Sequence, residues 1–225
     1  MAARKLALLH TSHVVIPTFS RLALECLGDI ETFHMSDESL IRNTIAAGGL
    51  TENTARRVAA LVGIAHDGGA DAVLVTCSSI GRATAMAQAQ FRFPVIRVDE
   101  AMAEKAVESG LRIGVAATLK TTLEPTLELL RETAERSGRT VKLIPALAAG
   151  AFEAVSAGDT AGHDRILLAA LADLLPQVDV VVLAQASMAR VAALLPAGGP
   201  PVLSSPELAM RRARAVLENL PITCG

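Results

Sequence analysis

Apolar residues fall along this chain in two alternating patterns. Short unbroken runs occupy Lys5–His10, Thr32–His34, Ala72–Thr76, Val95–Val98, Arg112–Ala116, Val141–Ile144, Val180–Leu183 and Val202–Leu203. Between them, apolar residues recur at helical spacing over Leu50–Ala65, Gly81–Gln90, Glu100–Ser109, Thr122–Ser137, Thr160–Leu175, Met188–Leu195 and Pro206–Leu220. A run that is apolar at every position suits a strand buried on both faces, as in a parallel sheet covered by helices. The alternation therefore predicts an α/β fold. Gly48-Gly49 and Gly68-Gly69 read as helix stops. Neither has the Lys-Ser/Thr or the strand-turn-helix spacing of a phosphate loop.

The chain also repeats itself. Lys5-Leu-Ala-Leu-Leu-His-Thr11 lies over Arg112-Ile-Gly-Val-Ala-Ala-Thr118 at an offset of 107. Asp71–Ser79 lies over Asp179–Ser187 at 108, and Phe93-Pro-Val-Ile over Pro200-Pro-Val-Leu at 107. Matches in one order at nearly one offset predict a duplicated unit. The expected architecture is two pseudosymmetric lobes, each a roughly four-stranded parallel sheet flanked by helices. Residues 1–98 plus 206–225 would form the first and residues 99–205 the second. Ligands of open α/β sheets bind at strand C-termini, so the active site is expected in a cleft between the lobes. Four strand ends there carry small polar residues: Thr11-Ser12, Thr76-Cys77-Ser78-Ser79, Thr118, and Gln185-Ala186-Ser187.

Composition narrows the function. Of 225 residues, 51% are hydrophobic, and the net charge is -2. That excludes a disordered chain and a polyelectrolyte binder. Without Tyr or Trp there is no phenol for acid/base work and little to stack on nucleic-acid bases. The basic clusters, Arg56-Arg57 and Arg211, Arg212, Arg214, sit at helical spacing among Ala, Val and Glu and read as solvated faces. No nucleic acid and no membrane is therefore expected as a partner. The first apolar run is about five residues, a strand rather than a signal peptide. Three scattered cysteines make no disulfide framework and no zinc pattern, which places the chain in the cytoplasm.

Cys77 is the leading candidate for chemistry. It follows an apolar strand and precedes a helix, and a helix N-terminus is expected to lower a thiol pKa. The Ser78 and Ser79 hydroxyls and N–H groups would hold a carboxylate. The plainer alternative is an inert buried cysteine. Gln185, at the equivalent place in the second half, has no acid/base capacity. His10 and His13 flank Thr11-Ser12, and His34 ends the second strand; each is a candidate for the same cleft. No further ligand stands at metal spacing, so no metal is expected. His66 and His163 read as helix-end or loop residues, and Asn43 as a surface residue on or beside a helix. Cys26, on an early helix, and Cys224, in the C-terminal tail, read as structural or incidental.

Together, Val75-Thr76-Cys77-Ser78-Ser79, Ala117-Thr118-Leu119-Lys120-Thr121 and Asp179–Ser187 resemble the motifs of the aspartate/glutamate racemase superfamily. That cofactor-independent group includes hydantoin racemases, maleate isomerases and arylmalonate decarboxylases. The resemblance covers nearly the whole chain. It implies two cysteines on opposite faces of a small carboxylate, one removing an α-proton and the other returning one. Cys77 matches the first; the second position is Gln185, so symmetric two-thiol racemisation is not available. The resemblance implies Thr11, Ser12, Thr76, Ser78, Ser79, Thr118, Thr121, Gln185, Ala186 and Ser187 as substrate-binding positions. It implies no cofactor and allows a homo-oligomer. The expected activity is that of an isomerase or racemase-like enzyme on an amino acid, dicarboxylate or hydantoin. A single-thiol decarboxylase or lyase is the alternative, and a non-catalytic carboxylate-binding protein is the rival from another class.

Overall fold

The computed structural model describes residues 4–221; Cys224 lies outside the described residues. The first elements are β1 (Lys5–His10), α1 (Ile16–Cys26), β2 (Glu31–Ser36), α2 (Glu38–Ala46), α3 (Glu52–Asp67), β3 (Ala72–Val75), α4 (Gly81–Gln88) and β4 (Val95–Arg97). There follow α5 (Glu100–Ser109), β5 (Arg112–Ala117), α6 (Lys120–Arg136), β6 (Lys142–Leu147), α7 (Ala151–Ser156), α8 (Thr160–Leu174), β7 (Val180–Leu183), β8 (Val202–Ser204) and α9 (Ser205–Glu218). The chain divides into two compact units. One runs to Val98 and takes back the chain from Pro206; the other is Asp99–Ser205.

Each unit holds one four-stranded sheet, ordered β2-β1-β3-β4 and β6-β5-β7-β8, with every pairing parallel. The aliphatic runs form the central strands. Leu6, Ala7 and Leu8 on β1 and Val180 to Leu183 on β7 are fully buried. In the first unit, α3 and α4 close one core with Val58, Val62, Ala83 and Ala87; in the second, α8 does so with Leu167, Leu171 and Leu174. Burial of this kind contributes roughly 25 cal/mol per Å² of apolar surface and is the main stabilising contribution.

The internal repeat is one of register as well as of sequence. Leu6 pairs with Ala72 and Leu9 with Val75; their equivalents Ile113 and Ala116 pair with Val180 and Leu183. The polar clamp at the start of these strands repeats too. Asp71 accepts from the Lys5 N–H at 2.8 Å and from Arg4 at 3.1 Å. Asp179 accepts from the Arg112 N–H at 2.8 Å and from its guanidinium at 2.6 Å. The Arg112 guanidinium holds the Asp179 carboxyl down at about 2.

Two helix stops take the backbone form expected of them. Gly48 (φ 69°) follows α2 and Gly69 (φ 89°) follows α3, both in the left-handed region. The segment read as a helix over Met188–Leu195 is instead a 3-10 helix, Ala186–Leu194. Its Arg190 pairs with Asp164 of α8 at 2.6 Å, and Pro196 bars its continuation beyond Leu195. Among the described residues no helix is long and apolar enough to cross a membrane.

Candidate active site

Cys77 stands where β3 leaves the sheet, in extended backbone (φ −128°, ψ 114°), and heads a 3-10 turn, Ser78–Ile80, that runs into α4. The first N–H groups of such a turn have no partner inside it. Here the Ile80 N–H closes the turn on the Cys77 carbonyl at 3.4 Å, while Thr11 and Ser79 lie where they favour negative charge on the sulfur. Cys77 keeps partial exposure. The lowered pKa expected from the helix N-terminus is corrected here. Burial pushes the Cys77 thiol up, and the polar surroundings supplied by Thr11, Ser79 and Ile80 offset that only in part.

The position of Thr11 follows from strand register. Leu9, opposite Val75, is the last paired rung; beyond it His10 meets Thr76 at 2.8 Å, and continuing the same register would set Thr11 against Cys77. Side chains alternate faces along a strand, so the two rungs point to opposite sides of the sheet. Ser12 caps the turn His13–Val15, accepting from the Val14 N–H at 3.4 Å. The Ser78 hydroxyl is buried with no hydrogen-bond partner.

Thr76, expected among the substrate contacts, turns its hydroxyl into the protein. It bonds to the Leu9 carbonyl at 3.2 Å and to His10 Nδ1 at 2.8 Å. His10 is fully buried, tilted against Phe19, and its Nε2 lies 2.8 Å from His34 Nδ1. His34 Nε2 in turn lies 3.1 Å from the Ser20 hydroxyl of α1. Burial, with the neighbouring His34, lowers the His10 pKa to about 4; burial lowers that of His34 too. Sequence reasoning named His10 and His34 but not this chain, whose members lie 66 and 24 residues apart. His13 is instead exposed and pairs with Glu38. His66, in the last turn of α3, stacks on Phe93, and Asn43 is an exposed residue of α2.

In the second unit the equivalent rung joins Thr118 to Gln185. The Thr118 N–H donates to Gln185 Oε1 at 2.7 Å, and its hydroxyl does so at 2.8 Å. A backbone N–H can only donate, so the amide oxygen must face Thr118 and the amide nitrogen must point away. Gln185 is thus a fixed side chain presenting an NH2 group. The Thr121 hydroxyl, near the start of α6, is buried without a partner, and Ala186 and Ser187 open the 3-10 helix half-buried. His163, in the first turn of α8, is fully buried beside Asp164 at 3.0 Å.

One open groove, about 460 Å³, is lined by Arg4, Asp71, Phe91, Phe93 and Pro94. It lies at the N-terminal ends of the strands, away from Cys77. Among the described residues no three His, Cys, Asp or Glu side chains gather as a metal site would require.

The model of the Asp/Glu/Hydantoin racemase family matches residues 5–213. The chain belongs to that family. Solved structures agree on the fold. A glutamate racemase from Francisella tularensis, in complex with D-glutamate, is 16% identical, with 98% of this chain and 84% of that one covered and a TM-score of 0.73. Aspartate racemase from Picrophilus torridus is 13% identical, covering 95% of each chain, with a TM-score of 0.69. Allantoin racemase from Klebsiella pneumoniae is 17% identical over 96% of this chain and 88% of that one, with a TM-score of 0.66. No curated protein matches the chain in sequence.

Proposed function

We propose that the chain is a cofactor-independent enzyme of isomerase type acting at or next to the α-carbon of a small carboxylate, with Cys77 as its reacting thiol. The observation that carries this reading is the placement of a partly exposed Cys77 at the end of β3, heading the turn into α4 with Thr11 and Ser79 favouring charge on its sulfur. Donors fixed in advance around a sulfur that gains negative charge are a preorganised electrostatic site. The buried, unpartnered hydroxyl of Ser78, next to Cys77, adds a donor that a carboxylate would satisfy. The substrate class is an amino acid, dicarboxylate or hydantoin, in line with the glutamate, aspartate and allantoin racemases of similar fold.

Two features favour a one-sided version of this chemistry. A thiol whose pKa is pushed up begins the cycle protonated, so it gives a proton before it takes one. Gln185 neither gives nor takes protons and is held by Thr118 as a donor. Decarboxylation is therefore the second reading. The bond to the leaving CO2 would break, its electron pair would pass to the enolate-like carbon, and the Cys77 proton would follow. Solvent would then reprotonate the thiolate.

The test is incubation in D2O with D- and L-glutamate, aspartate, a substituted hydantoin and a substituted malonate, followed by NMR. Wild type should place deuterium at the α-carbon of one of these, with loss of CO2 marking the decarboxylase. Cys77→Ala should lower the rate by at least about a hundredfold, the usual contribution of a positioned acid or base. Undiminished turnover in that variant would sink the assignment.

A further inference from the structure

We propose that His10 is a positioning residue for Cys77: its Nδ1–H grips Thr76 on one face of the sheet and so fixes the next rung, where Thr11 meets the thiol on the other. This rests on the reading of Cys77 as the reacting group.

The proton arrangement of the chain follows from its partners. The Thr76 N–H already donates to the Leu9 carbonyl at 2.9 Å, and the Thr76 hydroxyl donates to the same oxygen. The Thr76 oxygen is then free to accept from His10 Nδ1–H at 2.8 Å. That leaves His10 Nε2 as an acceptor, filled by His34 Nδ1–H at 2.8 Å. His34 Nε2 accepts in turn from Ser20 at 3.1 Å. Every donor is used and every ring is neutral. One tautomer of His10 is selected by the Leu9 carbonyl, which can only accept and so takes the Thr76 proton, and it is the tautomer that holds Thr76.

The internal repeat shows that the fold does not require this. At the same rung of the second unit, Ala117 and Ala184 replace His10 and Thr76, and Pro145 stands opposite Val115 where His34 stands opposite Leu8. Ala117 and Ala184 are both fully buried, so an apolar rung packs there without difficulty. A buried polar chain is unfavourable unless every member is bonded. This one lies beside the strand end that carries the thiol. The following rung keeps its threonine in both units, as Thr11 with Cys77 and Thr118 with Gln185.

The amide of an asparagine falls at the place of Nδ1 and that of a glutamine at the place of Nε2, so two variants separate the two ends of the ring. The readout is alkylation of Cys77 by iodoacetamide in the full chain, followed by peptide mass mapping from neutral to alkaline pH, with Cys26 as the internal control. His10→Gln should slow Cys77 near neutral pH by about tenfold, the change in thiolate fraction made by one pKa unit. His10→Asn should restore most of the rate, and Cys26 should be unchanged in both. Equal rates in wild type and His10→Gln, or equal slowing in the two variants, would overturn the proposal. Unfolding shows itself as faster labelling of both cysteines. In that case Thr76→Val decides, since it removes only the hydroxyl: slower Cys77 labelling supports the proposal and an unchanged rate overturns it. No substrate enters this assay, so failure of the D2O experiment with a positive labelling result would refute the function and leave the positioning role intact.

Discussion

Gln185 illustrates how one contact assigns a side chain. Because Thr118 offers it an N–H, the amide oxygen is committed and the nitrogen is presented. Gln185→Glu should therefore fold normally, since a carboxylate oxygen accepts the same two bonds, and its stability should lie within about 0.5 kcal/mol of wild type in a urea titration. The substitution replaces a donor with a negative charge. For whichever carboxylate the D2O assay turns over, KM should rise by at least about tenfold through like-charge repulsion. An unchanged KM would rule Gln185 out as a substrate-binding residue. Cys77 and Gln185 were legible in the sequence because a Val/Leu strand gives way abruptly to small polar residues at both. The direction of the Cys77 pKa was not, because the helix turn is written locally and the burial that outweighs it comes from distant residues. The commitment of Thr76 to His10 was hidden for the same reason.

At the scale of elements, the strands were the most legible part of the chain, since unbroken aliphatic runs have few other places to go. α7 was missed because six residues are too few to establish a helical period. The 3-10 helix carries Arg190 to Asp164, a contact 26 residues apart that no local period signals. Packing between elements is also unequal in the two copies. Ala7 is fully buried on β1, while its equivalent on β5 is Gly114, where a Cβ would come within 2.9 Å of Leu174 and 3.1 Å of Val178. Those neighbours are buried core, so they have little room to yield. Gly114→Ala should lose about 1–3 kcal/mol in urea unfolding, as overpacked cores do. The smaller side chain of Leu174→Ala should recover part of that loss in the double variant, and strict additivity would argue against the contact.

For the whole molecule, the buried imidazoles set a limit on the acid side. His10 and His34 are both held below the ordinary value of 6.5, so the unfolded chain takes up protons first as pH falls. The stabilisation they allow is complete above about 6.5 and is lost as pH drops towards the His10 value of about 4. The His10 part amounts to on the order of 3 kcal/mol. In the second copy Ala117 stands at the place of His10 and Pro145 at that of His34, so the two copies share a plan but differ in their tolerance of acid. Between pH 6.5 and 4, hydrogen exchange corrected for intrinsic rates should rise in β1 and β2 before β5 and β6. A uniform rise would mean that the two units open as one. If exchange is staggered, acid loosens the thiol-bearing half while the half with Gln185 keeps its shape.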